Sequence, residues 1–285
     1  MARKKQKKDR RRSKHLEAKA RTADRYELYQ RAVQAPDVDV EFFSRVYRST
    51  IGGTALRLRE DFCGTAAVCC EWVESNRERV AWGVDLDPEP LAWGREHNLA
   101  KVPSAAQDRV TLIEGDVRDT DTPPVDIVAA QNFSYCIFKT RDELRAYFAR
   151  VKDELDEKGV LILDLFGGYE SMEDDREEIT DYGDFQYVWD QHRFDPITHH
   201  GTYKIHFKFK DRSRMRDAFV YEWRLWTIPE VSEILVEAGF DRADVYWEDT
   251  DEDSGEGNGY YRRRTQGECD PAWNAYIVGV KGAST

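Results

Sequence analysis

The apolar positions follow two periods in turn along the chain. From residue 54 to 169 short apolar runs alternate with amphipathic segments. TALRLRE (54–60), VAWGVDLD (80–87), VTLIEGD (110–116), VDIVAAQN (125–132) and GVLILDLF (159–166) read as strands. AAVCCEWVES (66–75), PEPLAWGREHNL (88–99) and RDELRAYFARVKDEL (141–155) read as helices. The last strand run is almost wholly apolar, which suits burial on both faces. This order predicts a mostly parallel sheet with helices on both sides. Between 170 and 226 the period drops to two. FQYVWDQHRF, GTYKIHFKFK and RDAFVYEWRLW predict a three-stranded antiparallel insertion. In its middle strand Tyr203, Ile205, Phe207 and Phe209 share one face, and Lys204, His206, Lys208 and Lys210 share the other. The helical period returns in TIPEVSEILVEAGF. Thr227 stands at its N-cap, Glu230 at capping-box spacing, and Gly239 at its stop. RADVYWE and WNAYIVGV close the pattern. Two short helical patterns, TADRYELYQRAV and one around Phe42–Tyr47, precede the first strand.

The expected architecture is therefore α/β: a Rossmann-like, seven-stranded, mostly parallel sheet with an antiparallel last strand, plus a small antiparallel β insertion. The expected divisions are a disordered basic tail (1–20), an N-terminal helical cap (21–53), a core (54–169 and 227–285) and an inserted β lid (170–226).

Charge sharpens this division. The net charge of the 285 residues is −12. Residues 1–25 carry 12 Lys/Arg against 3 Asp/Glu, so the remainder is strongly acidic. An acidic body repels a phosphate backbone, which leaves residues 1–20 as the segment through which nucleic acid could be held. No apolar run approaches the length of a membrane span. Five cysteines without a CxxC pair suit reduced thiols and a cytoplasmic setting. The histidines of the insertion lack metal-ligand spacing, and no metal is expected. DTDEDSGEGNGY (249–260) begins like a calcium loop. It has Ser254 where glycine is needed and Tyr260 where glutamate is needed, so it reads as an acidic hairpin loop.

In an open α/β sheet ligands bind beyond the carboxyl ends of the strands. Glu60-Asp61, Asp85 and Asp116 lie at three successive ends, and Gln131-Asn132-Phe133-Ser134 lies at the fourth. Acids in these places suit a ligand rich in hydroxyls and amines. The stretch Glu60–Ala66 (EDFCGTA), Asp85 in VAWGVDLDPEPL and Asp116 in IEGDVRD resemble the class I S-adenosylmethionine-dependent methyltransferases over roughly residues 55–280. Two glycines of that family's loop are replaced, by Phe62 and Ala66. The expectation is a negative φ at Phe62 and a helical backbone at Ala66.

The resemblance implies S-adenosylmethionine as cofactor. Its implied site is the loop Glu60, Phe62, Cys63, Gly64 and Thr65, with Asp85 on the ribose and Leu86 beside the adenine. Asp116 and Val117 would meet the adenine edge, and Asn132 the far end. A pyrophosphate would be repelled by Glu60 and Asp61, which argues against a dinucleotide. The implied reaction is methyl transfer to N or O of a small-molecule acceptor, with Asn132, Tyr135, His200 and Arg224 as candidate catalytic residues. Tyr26 and Tyr29 could cover the cofactor or simply pack. Three other expectations are an RNA or protein methyltransferase using the tail, a non-catalytic binder of the same fold, and a homodimer formed through the inserted sheet.

Overall fold

The computed structural model describes residues 18–250 and 257–282. Most of the basic tail (1–17) and the centre of the acidic loop (251–256) lie outside the described residues. The chain divides into two compact units. The larger comprises residues 35–173, 195–200 and 223–285; the smaller comprises 1–34, 174–194 and 201–222.

The larger unit is built on strands β1 (Arg57–Asp61), β2 (Val80–Asp85), β3 (Val110–Glu114), β4 (Val125–Ala130), β5 (Leu155–Gly167), β10 (Arg242–Thr250), β11 (Gly257–Arg264) and β12 (Trp273–Lys281). Their order across the sheet is β11-β10-β12-β5-β4-β1-β2-β3. β1 to β5 are mutually parallel. β12 runs antiparallel between β5 and β10, and β11 pairs antiparallel with β10. β4 is buried at all six positions, as an apolar central strand requires.

There are thus eight strands in place of seven. The extra strand is β11, whose GNGYYRRR is exposed along most of its length and shows no apolar period. An edge strand wet on both faces leaves no alternation to read.

Each helix of this unit lays an apolar face on the sheet. The helix Pro36–Thr50 has Pro at its first turn and buries Val40, Phe42, Phe43, Val46 and Tyr47. The helix Ala67–Ser75 buries Val68, Cys69, Cys70, Trp72 and Val73. The helices Arg141–Glu154 and Ile228–Glu237 both start on capping boxes, Thr140 with Glu143 and Thr227 with Glu230.

The smaller unit is a four-stranded sheet in the order β6-β7-β8-β9, from Arg176–Asp181, Phe185–Asp195, His200–Phe209 and Arg214–Arg224. The strand beyond the expected three is β6. It is almost fully exposed and pairs antiparallel with β7. On β8 the Tyr203, Ile205, Phe207 and Phe209 face is buried, as its alternation requires.

What covers that face is the N-terminal helix Arg25–Val33. Its Leu28 joins Phe185, Ile205, Phe207 and Phe209 in one cluster. Tyr26 and Tyr29 lie 6.0 and 4.9 Å from the Phe219 ring, so both are packing aromatics. The segment 21–53 is therefore shared: helix 25–33 belongs to the smaller unit and helix 36–50 to the larger.

Candidate functional site

Strand alternation sends Glu60 and Asp61 to opposite faces of β1. Asp61 is consumed by structure. It accepts from Arg59 Nε at 2.6 Å and Nη2 at 3.1 Å, and from the Tyr147 hydroxyl at 2.7 Å. Arg59 is itself fully buried and also pairs with Glu154 and with the Val117 carbonyl. This network ties the end of β1 to the turn after β3. Glu60, on the opposite face, has no ion pair among the described residues and accepts from the Cys69 N–H at 3.1 Å.

The loop after β1 is left-handed at three places: Phe62 (φ 57°), Gly64 (φ 52°) and Ala66 (φ 55°). The expected negative φ at Phe62 and helical backbone at Ala66 are both corrected. The substitutions keep the glycine-type path, at a cost of roughly 1–2 kcal/mol each. At Phe62 an aromatic cluster offsets that cost, since its ring packs 6.2 Å from Phe138 and 6.0 Å from Tyr147. Thr65 is buried and its carbonyl accepts from Asn98 Nδ2 at 2.8 Å. Gly94 lies so close to that carbonyl that no Cβ would fit.

Asp85, at the end of β2, faces this loop. One carboxylate oxygen accepts from the Gly64 N–H at 2.7 Å and the other from the Asp87 N–H at 2.9 Å. Cys63 and Val117 are buried, while Leu86 is 70% exposed beside Asp85. Asp116 is bound by its neighbour Arg118, with Nη2 at 2.6 Å and Nε at 3.0 Å, which holds its pKa below the usual range.

At the end of β4, Asn132 and Phe133 are also left-handed (φ 57° and 58°). Their N–H groups donate to the two oxygens of Asp164, at 2.7 and 2.9 Å. Phe133 then stacks 4.8 Å from Phe166. Sequence reasoning passed over Asp164, although it sits at the end of β5 in the strand-end pattern that singled out the other acids. It also passed over Asp39, a half-buried residue of helix 36–50, for which the sequence carries no signal.

These acids act on one another. Burial raises Glu60 to about 8, aided by Asp39 and Asp85 and opposed by hydrogen bonding to Cys69. Burial and then Asp164 raise Asp39 to about 7. Burial raises Asp164 to about 7 against its two backbone donors. Asp85 is raised by burial as well. No lysine or arginine is among the causes acting on these four groups. Acids so placed favour a cation with hydroxyl and amine donors.

Two of the catalytic candidates do not fit their expected role, and a third is committed elsewhere. Tyr135 is fully buried, its hydroxyl is unpartnered, and burial pushes its pKa well above the ordinary value. It cannot take a proton near neutral pH. His200 is exposed at the start of β8, held by its backbone to Thr198 Oγ1 at 3.3 Å. Arg224 donates to the Lys139 carbonyl and to Glu230, both at 3.1 Å, and lies over the Trp226 ring. It ties the start of helix 228–237 to the rest of the unit. Among the described residues no group of three His, Cys, Asp or Glu side chains converges as a metal site. No helix there is long and apolar enough to cross a membrane.

No family model matches the sequence, and no curated protein matches it. Solved structures do match in fold. DesVI of Streptomyces venezuelae has a TM-score of 0.64 at 20% identity, over 91% of this chain and 98% of its own. CalS10 of Micromonospora echinaspora, described as an amino pentose methyltransferase and solved with S-adenosylmethionine, has a TM-score of 0.62 at 18% identity, over 90% and 97%. An S-adenosylmethionine-dependent methyltransferase of Clostridium acetobutylicum has 0.61 at 16%, over 91% and 98%. The chain has the Rossmann-like fold of these methyltransferases.

Proposed function

We propose that the protein is an S-adenosylmethionine-dependent methyltransferase acting on a nitrogen or oxygen of a small molecule. The observation that carries this reading is the Asp85 carboxylate. Backbone N–H groups of Gly64 and Asp87 hold its two oxygens, one each, across a left-handed loop. That is the acceptor pair a ribose diol needs. The remaining groups suit the same cofactor: Glu60, Phe62, Cys63, Gly64 and Thr65 on the loop, Leu86 beside the base, Asp116 and Val117 at its edge, and Asn132 at the far end. When bound, the cofactor supplies an electrophilic methyl group on a sulfonium.

The chain's own contribution is alignment and desolvation. Glu60, Asp39 and Asp164 are buried acids with raised pKa values, and a bound cation would draw them toward their ionised forms. Asp164 fixes the Asn132–Phe133 turn, and Asn132 is the candidate to orient the acceptor. Structural relatives described as acting on amino pentoses and other sugars support a small-molecule acceptor. Five unpaired cysteines support a reducing, cytoplasmic setting.

The test is thermal unfolding with S-adenosylhomocysteine, in wild type and Asp85→Ala. Ligand at 100 times its dissociation constant adds about 2.7 kcal/mol, or roughly 5 °C for a chain of this size. The shift is expected in wild type and absent in the variant. No shift in wild type would end the reading.

A further inference from the structure

A cavity of the larger unit, of about 520 Å³, opens at the carboxyl ends of β5 and β10. Its walls carry five aromatic side chains: Phe166, Tyr169, Trp226, Trp247 and Trp273. The arrangement is built. Trp273 pairs with Gly167 across β12 and β5, and a Cβ on Gly167 would fall inside the indole. Trp247 lies on Gly267, where a Cβ would stand 2.8 Å from the ring. The two indoles are 5.0 Å apart, tilted by 46°. Glycine at 167 and 267 is thus what lets two indoles lie against the backbone and leave open space above them.

The charges of the lining all have one sign. Glu268 and Asp270 contribute carboxylates, and neither has an ion pair among the described residues. No lysine or arginine lines the cavity. Aromatic faces beside carboxylates attract a cation and repel an anion.

We propose that this cavity binds a ring-bearing organic ammonium, with the protonated amine between the Glu268 and Asp270 carboxylates and the indole faces. This assigns the acceptor class and rests on the methyltransferase reading. Neighbouring strands are about 4.8 Å apart, so β5 and β12 lie roughly 10–14 Å along the sheet from β1. An acceptor that reaches the β4 end with the group to be methylated therefore places a second, cationic ring here. Phosphorylated acceptors are disfavoured by the same carboxylates.

The experiment is calorimetric titration of the full chain, saturated with S-adenosylhomocysteine, with three probes of similar size: phenethylammonium, 2-phenylethanol and 3-phenylpropanoate. The expected order is ammonium tightest and propanoate without measurable binding. In Glu268→Gln/Asp270→Asn the ammonium should weaken about ten-fold while the alcohol is unchanged. Retained S-adenosylhomocysteine affinity shows that the variant is folded. Quenching of indole fluorescence by the ammonium should shrink in Trp247→Phe. Equal affinity for the three probes, no binding of any, or an unchanged ammonium affinity in the double variant would overturn the proposal. Failure of wild type to bind S-adenosylhomocysteine would instead overturn the methyltransferase reading, and the titration of unliganded protein would still decide whether the cavity takes ammonium.

Discussion

Glu60→Gln isolates the energetic cost of keeping an acid where a cation is to bind. Glu60 is 4% exposed and its carboxyl accepts from the Cys69 N–H at 3.1 Å. In the unfolded chain it ionises around its ordinary value of 4.5; in the folded protein it keeps its proton until about 8. Between those values the folded state binds more protons, so stability falls as pH rises. It is flat on this account below 4.5 and above 8. The slope is about 1.4 kcal/mol per pH unit for one proton. From pH 5 to pH 8 the wild type should lose about 3–4 kcal/mol through this group. Glutamine keeps an acceptor for Cys69 and cannot ionise. The variant should match wild type near pH 5 and exceed it by about 3 kcal/mol at pH 8. Chemical denaturation at half-unit pH steps, followed by circular dichroism, reads both curves. Parallel curves would mean that Glu60 ionises in the folded protein at its ordinary value and that burial does not hold its proton.

Other outcomes follow from the same structure. Phe62→Gly relieves a left-handed φ worth about 1 kcal/mol but loses a half-buried ring, so unfolding should become easier by about 2 kcal/mol. Arg59→Met strands Asp61 and Glu154 without their cation and should cost about 3–5 kcal/mol, measured by urea denaturation at pH 7. Thr227→Ala removes the cap of helix 228–237 and should cost about 1 kcal/mol.

The parallel half of the sheet was legible because β4 and the stretch Val160–Phe166 of β5 are mostly apolar and their helices carry regular stripes. β6 and β11 were not, since exposed edge strands owe their pairing to a neighbour and not to their own pattern. In the site, Asp85 and Gly64 were legible from their place at strand ends. The backbone at Phe62 and Ala66 was not, because residue type alone argues against a left-handed path that packing with Phe138 and Tyr147 enforces. Asp39 came from a third direction. It lies on a helix whose sequence shows only that one face is apolar, and its role depends on which strand ends that helix crosses. Tyr135 was misjudged for the reverse reason: closeness in sequence to Asn132 does not turn a side chain toward the same space.

The smaller unit draws its core from three distant stretches of chain, and this fixes an order of events during synthesis. Helix 25–33 emerges first, with Leu28 and its aromatic neighbours uncovered. The last of its partners, Tyr221, lies 188 residues after the helix ends at Val33. At 5–20 residues per second the helix waits about 10–40 s for that partner. Over that interval an isolated nine-residue helix is marginal in water. The nascent segment therefore stays largely unstructured until the strands arrive, and the smaller unit closes only after most of the parallel sheet has already left the ribosome.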